Sequence, residues 1–249
     1  MLPPFSLVVP AFNEAGRIGE TLRHALSFLQ RESPESELVV VNDGSTDGTA
    51  EIVRSAFSDT PAVETRLLEY APNRGKGAAV REGLCAATRP IALFSDADFS
   101  TPIAEAEKLL MPIADGDVDL AFGSRALNRK LIGNRQPWRR EQAGRVFNLL
   151  VRTSTGLPFW DTQCGFKAFR LDVARPVVER AQTDGFGFDV ELLFLAQRAG
   201  LRLREIPVRW NHHDGSKVHF LHDSVAMLRE VIALRRHGRA AADATILPG

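Results

Sequence analysis

The stretch IALFSDADFSTP, residues 91–102, sets two carboxylates, Asp96 and Asp98, one residue apart at the end of an apolar run. Alternate residues leaving a strand can face the same side and bracket one cation. Hard oxygen ligands suit Mg2+ or Mn2+, which also bind phosphate oxygens. Left unpaired beside a buried strand, two such charges are costly. The plainer alternative is that one Asp caps the next helix while the other is solvated. Thr101 as N-cap, with Pro102 at the first helical position, takes that role, so the spacing favours a metal.

Other short stretches carry polar groups of the same kind. NRGKG, residues 73–77, opens a helix with backbone N–H groups, Arg74 and Lys76, which is an anion site by position. The Gly-x-x-x-x-Gly-Lys-Ser/Thr and Gly-x-Gly-x-x-Gly spacings are absent, which argues against a P-loop and a dinucleotide cofactor. In NDGSTDGT, residues 42–49, Asp43 can accept from a base N–H or a ribose hydroxyl, but the loop reads equally as a turn capped by Ser45 or Thr46. Glu14 in PAFNE has the same two readings, with Asn13 as the cap. From Arg125 to Arg152 there are eight Arg or Lys against the single acid Glu141. That asymmetry expects a phosphate or a membrane surface more than a merely solvated face. Cys164 reads as a packed thiol, and His212 and His213 as polar-loop residues without metal-ligand spacing.

These groups need a scaffold that gathers them. Apolar runs at Ser6–Val9, Leu38–Val41, Thr65–Leu68, Ile91–Phe94 and Leu120–Phe122 read as strands. Between them Ile18, Leu22, Ala25, Leu26 and Leu29 recur at helical spacing, as do Val80, Leu84 and Ala87, and Ile103, Ala106 and Leu110. The alternation predicts an α/β fold with a mostly parallel sheet covered on both faces. Ligands of such sheets lie beyond the carboxyl ends of the strands, and each of the five strands is followed by one of the polar motifs, the fifth being GSR, residues 123–125. Further on, an amphipathic stretch spans Glu141–Thr155, DTQCGFKAFR ends as a strand, and FDVELLFLAQRAG is a helix stopped by Gly. LREIPVRW is a strand, HHDGSK a loop, and a last helix runs from about Phe220 to His237. That helix reads equally as a core-packing element and as an interfacial one with a basic rim. The tail, 239–249, reads as frayed.

The 249 residues suit one large domain or a domain with an appendage. With 44% apolar and 25% charged residues the composition is that of an ordinary soluble globular protein. A formal net charge of zero argues against nucleic acid as a partner. Two distant cysteines suggest a reducing compartment. The first residues, MLPPFSLVVP, have no signal-peptide pattern, and no apolar run approaches a membrane span.

Together PAFNE, VNDGSTDGT, NRGKGAAVREG, DADFSTP, GSR, DTQCGFKAF, FDVELLFLAQ, EIPVRW and GSK resemble the family 2 glycosyltransferases of the GT-A fold, and within them the dolichyl- or polyprenyl-phosphate β-glucosyltransferase type. The resemblance covers most of the chain from Ser6 to Lys217, and its strength lies in the ordered set. It implies one domain over 1–238, with a nucleotide-sugar half (1–125) and an acceptor half with interfacial helices (126–238). It implies inverting, metal-dependent transfer of a hexose, glucose from UDP-glucose, to a polyprenyl phosphate, with Mg2+ or Mn2+ as cofactor. By that resemblance Pro10, Ala11, Phe12, Glu14, Asp43, Lys76, Asp96, Ala97 and Asp98 line the nucleotide sugar. Ala11, Glu14 and Asp43 lie on the base and ribose, and Asp96 and Asp98 on the metal. Ser216 and Lys217 lie on a loop closing over the donor. Arg125 and an arginine among Arg135, Arg139 and Arg140, with Arg139 preferred, face the acceptor phosphate. Asp161, Gln163, Asp189 and Glu191 are the candidates for sugar hydroxyls, and Asp189 or Glu191 would be the base for an alcohol acceptor.

Two departures from the family pattern stand out. Ser100 occupies the place where related mannosyl enzymes often carry Gln on the metal side, and the membrane spans of many relatives have no counterpart. The expected location is therefore cytoplasmic, held peripherally at a membrane face by amphipathic helices and basic residues. The rival readings are GDP-mannose or UDP-N-acetylglucosamine as donor, a soluble acceptor, a nucleotide-sugar-binding module without turnover, and a nucleotidyltransferase. The last lacks its Gly-rich first loop here.

Overall fold

The computed structural model describes residues 1–133, 138–212 and 230. Arg135, His213, Ser216, Lys217, the helix expected from Phe220 apart from Glu230, and the tail lie outside the described residues. So do the side chains of Arg139 and Arg140, although their backbone belongs to a helix.

The chain runs β1 (Phe5–Ala11), α1 (Ile18–Glu32), β2 (Glu37–Asp43), α2 (Thr49–Ser58), β3 (Glu64–Tyr70), α3 (Lys76–Ala86), β4 (Ile91–Ser95), α4 (Ala106–Ala114), β5 (Leu120–Ser124), α5 (Trp138–Thr155), β6 (Phe166–Arg170), α6 (Leu171–Arg180), α7 (Phe188–Arg198) and β7 (Leu203–Pro207). All seven strands form one sheet of order β3-β2-β1-β4-β6-β5-β7. Every neighbouring pair is parallel except those of β6, which runs antiparallel between β4 and β5. The expected mostly parallel α/β sheet is what forms. β1, β2, β4 and β5 are buried at every residue, which explains their continuous apolar runs. The stripe of Ile18, Leu22, Ala25, Leu26 and Leu29 buries α1 on one face of the sheet. Val80 and Leu84 of α3 pack on the other. Because β1–β5 all point the same way, their polar carboxyl-end loops share one edge.

The expected helix caps are corrected. Thr101 caps nothing: a 3-10 turn, Ile103–Glu105, precedes α4, and the Thr101 hydroxyl lies 3.8 Å from Cys164 Sγ. Phe99, at φ 44, turns the chain inward ahead of it. Asn13 is not a cap either; its Oδ1 accepts from Thr46 N at 2.8 Å, while Ser45 Oγ accepts from Asn13 N at 2.9 Å. The first turn of α2 is instead met by Asp47, which accepts from Thr49 N at 3.0 Å. Polar residues placed for capping thus tie one loop to the next. α6 carries Pro176 internally and buries Leu171, Ala174, Val177 and Val178 on one face.

At the opposite edge of the sheet, Glu37 is a buried charge at the start of β2. It accepts from Ser6 Oγ (2.5 Å), Thr88 N (2.6 Å), Thr88 Oγ1 (2.7 Å) and Arg66 (2.6 Å). Burial pushes its pKa up, but the Ser6 and Thr88 donors and the Arg66 guanidinium overcome this and hold it at about 2. A folded-state pKa below the unfolded one contributes stability that is complete above the unfolded value and is lost as pH falls through the folded one. Glu37→Ala should therefore lower the unfolding free energy by about 3 kcal/mol at neutral pH, since it removes the carboxylate that buried Ser6, half-buried Arg66 and Thr88 share. In urea titrations the gap between wild type and variant should narrow as pH drops from about 5 towards about 2. A gap independent of pH would contradict this account.

Candidate active site

The two aspartates stand where β4 leaves the sheet. Lys76 reaches Asp96 from the first turn of α3, with its Nζ 2.6 Å from Oδ1. The ammonium lies 5.8 Å from the ring centre of Phe94 and 5.7 Å from that of Phe188, so both rings line its path. Asp98 turns one oxygen onto its own loop, accepting from Ser100 N at 2.9 Å. Behind Lys76, a second lysine that sequence reasoning missed, Lys167, is completely buried on β6. It donates to Asp189 and to the carbonyl of Cys164 (2.8 Å), again beside Phe94 (5.6 Å). No spacing marks Lys167, which lies inside an apolar strand; only its register opposite Phe94 and Phe122 brings it here.

Charge in this cluster does not balance. Asp96, Asp98 and Asp189 all act on Lys76, and Lys167 is taken up by Asp189. Burial would push the Lys76 pKa down, but these carboxylates raise it instead. Asp96 sits deep yet keeps 33% of its side chain accessible. Burial, with the neighbouring Asp98 charge, pushes its pKa above the usual carboxylate range despite Lys76. A site with this surplus of negative charge fits an added cation. Among the described residues no group of three or more His, Cys, Asp or Glu forms a closed metal cage. Two carboxylates with remaining positions left to phosphate and water is a donor set that suits Mg2+ or Mn2+.

On one flank of the aspartates, Arg125 at the end of β5 forks onto Asp161. Nε and Nη2 are 2.7 and 2.8 Å from its two oxygens, and the Arg125 N–H adds a third bond at 2.9 Å. Asp161 is fixed in turn by its own N–H on Glu205 at 2.8 Å, and Gln163 N donates to Asp161. Burial opposes ionisation of the pair, yet the mutual attraction raises the Arg125 pKa and lowers that of Asp161. The charge of Asp96 reaches Arg125 as well, so the two groups share one site. On the other flank Arg17, also unforeseen, pairs with Glu14 and feels Asp98 and Asp96.

Asp43 holds the next loop. It accepts from Asn73 Nδ2 (2.7 Å), Arg74 N (2.7 Å) and Gly75 N (2.9 Å), which fixes the turn from which Lys76 departs. Glu191 is likewise engaged locally, accepting from Gln182 N and Thr183 N. Pro10 and Ala11 end β1 below this edge, Phe12 stands exposed above it, and Ala97 is buried between the two aspartates. Cys164 is the packed thiol expected: burial, with Asp161 nearby, pushes its pKa up to about 12.

Parallel strands that converge on paired aspartates, a lysine and a forked arginine suit the binding of a phosphorylated donor by a transferase. Residues 6–177 match the family described as Glycosyl transferase family 2. The chain belongs to this family and is a glycosyltransferase. It is 32% identical to a dolichyl-phosphate beta-glucosyltransferase from Dictyostelium discoideum over 92% of its length and 73% of that protein's. With the protein of the same name from Drosophila melanogaster it shares 37% identity over 86% and 68%. Among solved structures, glucosyl-3-phosphoglycerate synthase from Mycobacterium tuberculosis in complex with UDP superposes with a TM-score of 0.65 at 22% identity, covering 94% of this chain and 79% of that one. A mannosyltransferase from Pyrobaculum calidifontis in complex with GDP-Man and Mn2+ gives 0.59 at 20% identity, covering 100% and 77%. These likenesses show the GT-A fold.

Gly165 lets Asp96 take its place: a Cβ there would lie 2.1 Å from Asp96 Oδ2. Gly165→Ala should displace that carboxylate and lower the transfer rate about 100-fold, with far-ultraviolet circular dichroism unchanged. Steady-state kinetics on the folded variant check this, and wild-type turnover would mean that the position of Asp96 does not matter.

Proposed function

We propose that the protein transfers glucose, with inversion, from UDP-glucose to a polyprenyl phosphate such as dolichyl phosphate, with Mg2+ or Mn2+ bound at Asp96 and Asp98. The observation that carries the reading is the unbalanced cluster of Asp96, Asp98 and Lys76 at the carboxyl end of β4. It is supported by the names of the relatives that match over most of the chain. In this reading residues 1–125 hold the donor and 126–238 the acceptor. Pro10, Ala11, Phe12, Glu14 and Asp43 line the nucleotide, and Ser216 and Lys217 close over it.

A bound divalent cation would neutralise charge on the departing nucleoside diphosphate. Lys76 adds a fixed positive charge next to it, held in place by two aromatic rings. Arg125, anchored by Asp161, keeps further N–H groups for the acceptor phosphate, joined by one of Arg135, Arg139 and Arg140. A phosphate oxygen is already anionic at neutral pH, so the attack needs positioning more than a general base. The engagement of the two candidate bases favours this acceptor over an alcohol. Asp189 is bound by Lys167, and Glu191 by two backbone N–H groups. Asp189 and Gln163 then serve the sugar hydroxyls.

The acceptor's lipid tail implies contact with a membrane. Val146, Leu149 and Leu150 are exposed at helical spacing on α5, and Trp160 is exposed beneath Arg152, 3.9 Å from the guanidinium. No helix among the described residues is long and apolar enough to cross a membrane. In this reading the contact is made through these apolar side chains and the basic residues near them.

The test is a radiolabelled transfer assay that offers UDP-glucose, GDP-mannose and UDP-N-acetylglucosamine with a short polyprenyl phosphate, with and without Mg2+ or Mn2+. Label should enter the organic phase from UDP-glucose only, and only with metal. Asp98→Ala should reduce the rate at least about 100-fold. Label that stays aqueous with every donor would overturn the lipid acceptor, and transfer from another donor would overturn the sugar.

A further inference from the structure

Lys76 is held in position from outside the strand-end loops. The turn between α6 and α7, residues 181–187, presses its backbone onto the start of α3. Gly77 N donates to the Asp184 carbonyl at 2.8 Å. A Cβ at Gly75 would lie 2.4 Å from that carbonyl oxygen, and one at Gly77 would lie 2.3 Å from the Thr183 carbonyl oxygen and 2.7 Å from Phe188 Cβ. The two glycines that flank Lys76 are therefore in backbone-to-backbone contact with this turn, which no side chain at either position would allow. Asp184 reinforces the contact through Arg81 at 2.5 Å. Phe188, the first residue of α7, supplies one of the rings beside the Lys76 ammonium.

The turn is itself gripped by two carboxylates. Glu191 accepts from Gln182 N and Thr183 N on its near side. On the far side Glu230, 43 residues downstream, accepts from Gly187 N at 2.9 Å. A Cβ at Gly185 or Gly187 would lie 2.6 or 2.5 Å from a Glu230 carboxylate oxygen, so these glycines too mark a close approach. Glu230 thus brings an acidic side chain from far along the chain to Gly187, the N-cap of α7. Burial, together with the nearby charges of Glu191 and Asp184, pushes the Glu230 pKa up. The contact is thus held against an electrostatic cost.

We propose that Glu230 is a positioning residue for donor binding: by fixing the Gly185–Gly187 turn it holds Thr183, Asp184 and Phe188 against Gly75–Gly77 and so aims Lys76 at the donor diphosphate. Among the described residues, Glu230 couples this turn to a position 43 residues further along the chain. The inference rests on the reading that Lys76 faces that diphosphate.

The experiment is calorimetric titration of the full chain with UDP and Mn2+, carried out on wild type, Glu230→Ala, Lys76→Met and the double variant. Glu230→Ala should weaken UDP binding about tenfold. In the Lys76→Met background the same change should have almost no effect, because its route to the ligand is gone. Glu230→Gln, whose amide oxygen can still accept from Gly187 N, should restore most of the affinity. Gly185→Ala serves as a second probe: it pushes the carboxylate aside without deleting it, and should reproduce the loss in a folded protein. Equal effects of Glu230→Ala in both backgrounds, or wild-type affinity in Glu230→Ala and Gly185→Ala, would overturn the positioning role. A wild-type protein that binds no UDP, or a Lys76→Met variant that binds as wild type does, would instead defeat the donor-site reading on which the role depends.

Discussion

The ion pair of Lys76 with Asp96 is the contact on which the rest of the site depends. A lysine from the start of α3 and an aspartate from the end of β4 meet 2.6 Å apart between two aromatic rings. Charges so placed are stable only if the surroundings supply their remaining partners. Here they do so on one side, through Lys167 and Asp189, and leave an excess of carboxylate on the other. In the proposed reading that excess is what a bound divalent cation would offset.

Around this pair the protein uses backbone geometry rather than bulk. Gly165 makes room for the Asp96 carboxylate, and Gly75, at φ 107, adopts a conformation and a closeness that a side chain would forbid. Asp43 spends its hydrogen bonds on the loop that launches Lys76. Arg125 and Asp161 fix each other, and Glu205 fixes Asp161. Lys76 and Arg125, which meet the substrate in the proposed reaction, are thus each held in place by polar groups around them. This is how a site on loops gains the rigidity that positioning catalysis requires. The same logic extends to the turn before α7, where Glu191 and Glu230 take up N–H groups of a segment that has no regular secondary structure.

Much of this was legible beforehand. The strand at Ile91–Phe94, the helical stripe of α1 and the Gly stop after α7 all follow from local periodicity, and each is present. Capping was read less well. Thr101, Asn13, Ser45 and Thr46 have the right chemistry for N-caps, but three of them hydrogen-bond across to neighbouring loops and Thr101 turns towards Cys164. A short polar side chain offers the same bonds to its own helix and to a loop beside it, and only the packing of the loops decides between them.

From the sequence alone one could determine the strand–helix alternation, the polar motif after each early strand, and the aspartate pair with its demand for a positive partner. Those are local properties: side-chain period, turn composition and charge spacing. Tertiary structure decided which positive group answers first, namely Lys76. It also decided that Lys167 and Arg17 belong to the cluster and that a turn remote in sequence, with Asp184 against Gly77, braces the start of α3. Lys167 arrives there because β6 enters the sheet antiparallel between β4 and β5. That strand order carries residues far apart in sequence to one edge, and no period or motif within a short window encodes it.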